Sequence, residues 1–222
     1  MAELISGLDA ERVRANLAAM RGEIERACAR AGRDPAGVEL LPATKYVAAA
    51  ELGVLADAGL TVLGENRMQE LVAKRDAWPG RFTFDFIGHL QSRKVRDLAP
   101  LVRRIHSVAS ESVLTQLARV TDAAPELQIL VEVNIAGEAG KSGIAPADLP
   151  TFLERCPVRP LGLMTMPPLA GDPEASRHWF AALASLAREH DLAELSMGTT
   201  QDFVVAIEEG ATIVRVGSRL FR

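Results

Sequence analysis

A chain of 222 residues, 48% hydrophobic and 24% charged, can bury a large core and has the composition of an ordinary globular protein. Its formal charge of -4 and pI near 5.7 argue against a dedicated nucleic-acid surface, and no composition break divides it, so one domain spanning residues 1–222 is expected. No apolar run approaches membrane-spanning length, and the N-terminal stretch Met1 to Ser6 lacks the basic region and apolar run of a signal peptide, so a soluble, cytoplasmic protein without membrane or nucleic-acid partners is expected.

Between Asp9 and Ala31 the apolar residues Val13, Leu17, Met20, Ile24 and Cys28 recur at spacings of three and four, which predicts an amphipathic helix capped by Asp9 and ended by Gly32. Residues 1–37 form this N-terminal helical segment, expected to pack on the body of the fold. A first strand is predicted from Val38 to Thr44, ending one residue before Lys45, and then a helix from Ala48 to Ala58 that Gly59 terminates. Thr61 to Leu63 and Phe82 to Ile87 read as the second and third strands, separated by a helix reaching about Ala77. Gly88-His89-Leu90-Gln91 leads into a basic helix, and Arg104 to Val108 is a fourth strand ahead of a helix starting near Ser110. The apolar run Leu127 to Asn134, interrupted only by Glu132, predicts a buried fifth strand.

The Gly-rich loop Ala136 to Gly143 follows that strand and lacks the spacing of a Walker motif. A helix from Pro146 to about Cys156, a sixth strand from Arg159 to Thr165 and a long helix from Glu174 to His190 come next. Glu194 to Met197 and Thr212 to Val216 supply the last two strands around a helix from Asp202 to Glu209. Strict alternation of eight such units, with one extra N-terminal helix, predicts an α/β fold of the single-domain (β/α)8 TIM barrel type. A doubly wound sheet is the alternative, but the first strand-to-helix turn carries no G-x-G-x-x-G fingerprint.

In such a barrel the chemistry sits past the C-terminal ends of the strands, here Lys45, Asn66, His89, Ser107, Asn134, Met164, Ser196 to Thr200, and Arg215 to Ser218. Ser196 to Gln201 places hydroxyl and small residues just before a helix, and Arg215-Val216-Gly217-Ser218 adds a permanent cation, a glycine and another hydroxyl. Loops after the seventh and eighth strands commonly bind phosphate. Strand one neighbours strand eight, so Lys45 would stand beside this site, and a lysine in an apolar setting near a guanidinium can form a Schiff base with an aldehyde. These features suit either pyridoxal phosphate or a phosphosugar carbonyl. The clusters Arg93, Lys94, Arg96 and Arg103, Arg104 are further anion candidates, with solvated helix faces the plainer reading. Cys28 and Cys156 have neither zinc nor disulfide-framework spacing, and no metal site is expected.

Several of these stretches, taken in order, carry a resemblance. Ala43-Thr44-Lys45, Gly64-Glu65-Asn66-Arg67-Met68-Gln69-Glu70, Phe86 to Lys94, His106-Ser107-Val108, Lys141-Ser142-Gly143, Gly162 to Met166, Leu195 to Gly198 and Val214 to Ser218 together resemble the pyridoxal phosphate homeostasis protein family. The resemblance runs from about residue 38 to 222 and implies the barrel of alanine racemase and fold-type III decarboxylases without their second domain. It further implies that Lys45 holds pyridoxal 5'-phosphate as a Schiff base, that Asn66 lies near it and that Met164 packs by the ring. Ser196, Thr200, Arg215, Gly217 and Ser218 would hold the phosphate or the ring edge, with Arg215 facing either the phosphate or the pyridine nitrogen.

The role implied is vitamin B6 and amino-acid homeostasis without established turnover, in a monomer with apo-enzymes as recipients of the cofactor. Three stretches depart from the family's pattern. Thr200 replaces a serine, Asp85 stands where a histidine often precedes Phe-Ile-Gly, and the usual Ile-Phe-Gly appears as Leu220-Phe221-Arg222. A racemase or decarboxylase is the enzyme alternative, and it needs a second acid or base opposite the lysine. Tyr46 is the only tyrosine and adjoins Lys45, while both cysteines fall on predicted helices away from the strand ends. His89 is either a proton shuttle or a histidine satisfied by backbone.

Overall fold

The structure, a computed structural model, describes residues 4–222; Met1, Ala2 and Glu3, read from the sequence as part of an untargeted N-terminus, lie outside the described residues. Helix α1 runs over Ala10–Arg30, with Asp9 as its N-cap accepting from the Arg12 amide at 2.7 Å, and it buries the predicted stripe of Val13, Leu17, Met20, Ile24 and Cys28. The chain turns out of the helix through Gly32 at φ +65°, a left-handed conformation that glycine adopts without steric cost.

Eight parallel strands follow: β1 Glu39–Pro42, β2 Val62–Glu65, β3 Thr83–Phe86, β4 Arg104–Val108, β5 Gln128–Glu132, β6 Gly162–Met164, β7 Glu194–Thr199 and β8 Ile213–Val216. Between and after them lie α2 Leu52–Asp57, α3 Met68–Ala77, α4 Val95–Leu98, α5 Glu111–Leu117, α6 Leu149–Glu154, α7 Arg177–Glu189, α8 Phe203–Glu208 and α9 Ser218–Phe221. Strand order runs from β1 to β8 and back through the series to β2, which makes a nearly closed (β/α)8 barrel. Closure rests on one parallel bridge, Ala43 to Gly64, in which the Thr44 amide donates to the Gly64 carbonyl at 2.9 Å.

Two layers of apolar packing hold this arrangement. The larger fills the space between strands and helices, where Phe84, Phe180 and Phe203 are buried to 1% exposure or less, each contributing about 1.5–3 kcal/mol by removal from water. The smaller lies inside the barrel and consists of Leu41, Leu130, Met164 and Ile213. Side chains alternate across a parallel strand, so residues two further along point inward one layer higher, toward the C-terminal mouth. Ile213 therefore predicts Arg215 at the mouth, and Leu130 predicts Glu132.

Helix α1 and the turn after it fasten the last elements of the barrel. Arg33 donates to the carbonyls of Ile207 and Ala211 at 2.6 and 2.9 Å, and the Asn16 amide donates to those of Leu220 and Arg222 at 3.2 and 3.0 Å. Strand β7 continues to Thr199, two residues beyond its predicted end, and α9 is a turn of helix that the sequence patterning did not disclose. Among the described residues no helix is long and apolar enough to cross a membrane.

Candidate functional site

A cleft of about 540 Å³ opens at the C-terminal mouth, and its lining unites Lys45, Asn66, Thr200, Arg215, Gly217 and Ser218, all singled out from the sequence. Tyr46, Met166, Phe221 and Arg222 also line it. Its size falls within the range of small-molecule sites.

Lys45 occupies the turn that leaves β1. Contrary to the apolar surroundings expected for it, the side chain is exposed, and its ammonium sits 4.9 Å from the centroid of the Tyr46 ring. The turn itself is rigidly tied: the Val47 amide donates to Thr44 O at 2.8 Å, the Ile5 amide to Tyr46 O at 2.6 Å and the Ala43 amide to Val216 O at 2.8 Å. Beneath it the Thr44 hydroxyl donates to Glu65 at 2.5 Å, and the Lys74 ammonium, paired with the same carboxylate, donates to Thr44 O at 2.8 Å. Thr44, Glu65 and Lys74 are fully buried.

The residues expected to bind an anion gather on the neighbouring strand end, past β7 and β8. Thr200 Oγ1 accepts from the Gly217 amide at 3.2 Å, and Ser218 opens α9, whose first intrahelical bond forms only at the Leu220 amide. The amides of Ser218 and Arg219 thus precede helical pairing and add donors to the two hydroxyls. A Cβ at Gly217 would lie 3.0 Å from the Ala43 carbonyl, so this position brings the β8 loop close against the turn that carries Lys45. On the far wall a Cβ at Gly88 would come within 2.1 Å of the Asn66 carbonyl, which only glycine permits. The side-chain oxygen of Asn66 is buried without a hydrogen-bond partner.

Arg215 forms the floor, 5% exposed. Its guanidinium donates to Ser196 O at 2.7 Å, to the Ser196 hydroxyl, to Thr165 O at 2.9 Å and to Met166 Sδ at 2.9 Å. Burial pulls its pKa down to about 10, with Asp202 and Glu132 opposing, so it stays charged at neutral pH.

Two of the expected residues stand beneath the cleft and do not line it. Ser196 is fully buried because β7 extends past it, and its hydroxyl is committed to Arg215 and to His106 Nδ1 at 2.8 Å. Met164 belongs to the interior apolar layer, and the methionine at the cleft is Met166, two residues along and on the same inward face. Glu132 escaped the sequence reading: it is 8% exposed, burial raises its carboxyl above the ordinary range, and the Ser142 hydroxyl donates to it at 2.8 Å. His89 lines a separate groove with Arg67, Arg93 and Lys94. Asn134 caps its own Gly-rich loop, exchanging hydrogen bonds with Glu138 at 2.9 and 3.1 Å. Ser107 is buried with its hydroxyl unpartnered.

The fold is a parallel (β/α)8 barrel with a lysine past its first strand and hydroxyls, a glycine and an arginine past its seventh and eighth, the class of barrel whose strand ends commonly hold phosphorylated ligands. No protein-family model matches the chain. It is, however, 40% identical over 210 residues to the pyridoxal phosphate homeostasis protein of Aquifex aeolicus, covering 89% of this chain and 92% of that one. The chain belongs to the pyridoxal phosphate homeostasis protein family. The structure of PipY from Synechococcus elongatus with PLP bound superposes with a TM-score of 0.80 at 29% identity, covering 95% of this chain and all of that one. Alanine racemase from Clostridium difficile shares the fold, with a TM-score of 0.71 at 12% identity over 96% of this chain and 57% of the racemase.

Proposed function

We propose that this chain is a single-domain, cytoplasmic, monomeric holder of pyridoxal 5'-phosphate, acting in vitamin B6 and amino-acid homeostasis by supplying the cofactor to apo-enzymes. The observation that carries the reading is the shared cleft: the amine of Lys45 faces the same space as the donors of Thr200, Gly217 and Ser218. Pyridoxal phosphate supplies an aldehyde that condenses with a lysine amine, losing water, together with a dianionic phosphate and a pyridine nitrogen.

The residues present fit each of those groups. Lys45 supplies the amine, and the hydroxyls of Thr200 and Ser218 with the α9 amides supply neutral donors to the phosphate. Arg215 belongs with the ring nitrogen: its guanidinium is pinned to Ser196 and Thr165 on the floor, away from the rim hydroxyls. A donor that keeps its protons leaves that nitrogen unprotonated and weakens the ring as an electron sink. The unpartnered oxygen of Asn66 and the thioether of Met166 flank the space, with Met164 and Ser196 supporting from below.

Holding without turnover agrees with the composition of the wall. Among the described residues no Asp, Glu, His or Cys side chain lines the cleft, and Tyr46 is engaged on its face by Lys45. A racemase or decarboxylase needs an acid or base beyond the lysine. Incubating the loaded protein with amino acids in deuterated water tests this reading. No exchange of the α-hydrogen beyond that caused by free cofactor is expected, and rapid exchange would make the protein an enzyme.

A further inference from the structure

The buried polar residues inside the barrel form one connected path. His106 on β4 reaches across the interior to Ser196 on β7, Nδ1 to Oγ 2.8 Å, with two strands intervening in the sheet. Its other nitrogen meets Asp85 Oδ2 at 3.1 Å, and Asp85 is gripped by Arg103 at 2.9 and 2.7 Å. Arg103 in turn bonds Glu39 at 2.6 Å, where both side chains are about three-tenths exposed at the opposite end of the barrel. Asp85, His106 and Ser196 are themselves fully enclosed.

Chemistry fixes the direction of every bond in this path. A guanidinium can only donate, so the Ser196 oxygen accepts from Arg215 and its single proton is left to give. An ionised carboxylate can only accept, so Nε2 of His106 carries the hydrogen that faces Asp85. Burial first, and then the charges of Arg215 and Arg104, keep the imidazole neutral against the pull of Asp85, which leaves Nδ1 as the acceptor for the Ser196 proton. Each group thereby has one role, and none can rotate or change tautomer without orphaning a buried neighbour.

We propose that Asp85 and His106 are positioning residues that act through Ser196 to hold Arg215 as a fixed donor toward the ring nitrogen of the bound cofactor. The inference rests on the reading that Lys45 and its cleft take pyridoxal phosphate. Asp85 sets the imidazole tautomer, the imidazole orients the serine hydroxyl, and the hydroxyl presents a lone pair that fixes one arm of the guanidinium. The phosphate would be held by Thr200, Gly217 and Ser218, whose mutual hydrogen bond includes no member of the path.

The test loads wild type, Asp85→Asn, His106→Leu, His106→Asn and Ser196→Ala with pyridoxal phosphate carrying nitrogen-15 in its ring, and records the ring-nitrogen chemical shift together with cofactor affinity. Wild type should show the shift of an unprotonated, hydrogen-bonded nitrogen. Asp85→Asn replaces one accepting oxygen by a donating NH2 that must face either His106 or Arg103, so its ring signal should move and its affinity fall by roughly tenfold, as when outer-shell partners that orient a ligand are lost. His106→Leu should do the same, and His106→Asn, whose side-chain oxygen can replace Nδ1 as acceptor, should recover part of the loss. Ser196→Ala removes only the coupling hydroxyl and keeps the test open should a larger change fail to fold. Loaded variants with the wild-type nitrogen shift would overturn the inference while leaving the cofactor reading intact. A wild type that forms no borohydride-fixed adduct at Lys45 would overturn both.

Discussion

Lys74 donates from a fully buried ammonium to the carbonyl oxygen of Thr44 at 2.8 Å, so one lysine holds the residue that immediately precedes another. The contact falls at the seam between β1 and β2, which share only the bridge of Ala43 with Gly64. Glu65 completes the clasp by pairing with Lys74 and accepting from the Thr44 hydroxyl. The seam of the barrel and the placement of Lys45 therefore depend on the same three side chains.

Breaking one half of that clasp should cost more than removing both. Lys74→Met leaves the Glu65 carboxylate buried without its counter-charge, a loss of about 3–5 kcal/mol. Pairing Lys74→Met with Glu65→Gln should recover a large part of it, because no unpaired charge then remains. Denaturant unfolding of both variants measures the difference, and equal stabilities would show that the ion pair does not govern the seam.

Thr200 offers a cleaner change at the proposed phosphate site. Thr200→Val keeps the shape and deletes the hydroxyl that accepts from the Gly217 amide. Pyridoxal phosphate should bind about tenfold more weakly, the effect of one hydrogen bond to a charged group, with unfolding nearly unchanged. Thr200→Ser should bind as wild type does. Spectroscopic titration separates the three proteins.

Gly88→Ala should act through the backbone. Its new methyl group would lie 2.1 Å from the Asn66 carbonyl, so the two loops must part at a cost of about 1–3 kcal/mol. Asn66 moves with its loop, so cofactor affinity should fall along with the melting temperature. Retention of both would place the close approach outside the site's requirements.

Stability should also depend on pH through His106 and Asp85. Burial, with Arg215 and Arg104, holds His106 below its ordinary value of 6.5, so under pH 6.5 the unfolded chain gains a proton there that the folded chain refuses. The folded state consequently loses stability as pH drops from 6.5 toward the depressed value. Burial alone would raise Asp85, but hydrogen bonds from His106 and Arg103 outweigh it and hold the carboxyl under its ordinary 3.8, adding a further loss at still lower pH. Glu132 works in the other direction because burial raises it. Comparing wild type with His106→Asn isolates the histidine, and the variant's melting temperature should fall less steeply just below pH 6.5.

The barrel is legible in the sequence because short, largely apolar strand runs alternate with capped or glycine-ended helices, as Asp9, Gly59 and Gly210 illustrate. Lys45, Asn66, Thr200, Arg215, Gly217 and Ser218 are legible as strand-end residues, since this fold gathers such positions at one mouth. Which inward residue reaches the cleft is not, because that depends on register: one step of the alternation separates buried Met164 from exposed Met166. Ser196 reads as a residue near the end of its strand, and it is buried because β7 continues to Thr199. The path from Asp85 through His106 to Ser196 joins residues 21 and 90 positions apart, beyond the reach of any local pattern. Glu65 ends a strand and Lys74 sits within a helix, and only the folded barrel shows them paired in the core.

The most direct measurement of the central claim is reduction of the pyridoxal phosphate-loaded protein with borohydride, followed by peptide mapping by mass spectrometry. A single phosphopyridoxyl group on Lys45, absent from Lys45→Ala, is the predicted result. Stoichiometric modification of another lysine, or no modification of a saturated protein, would contradict it.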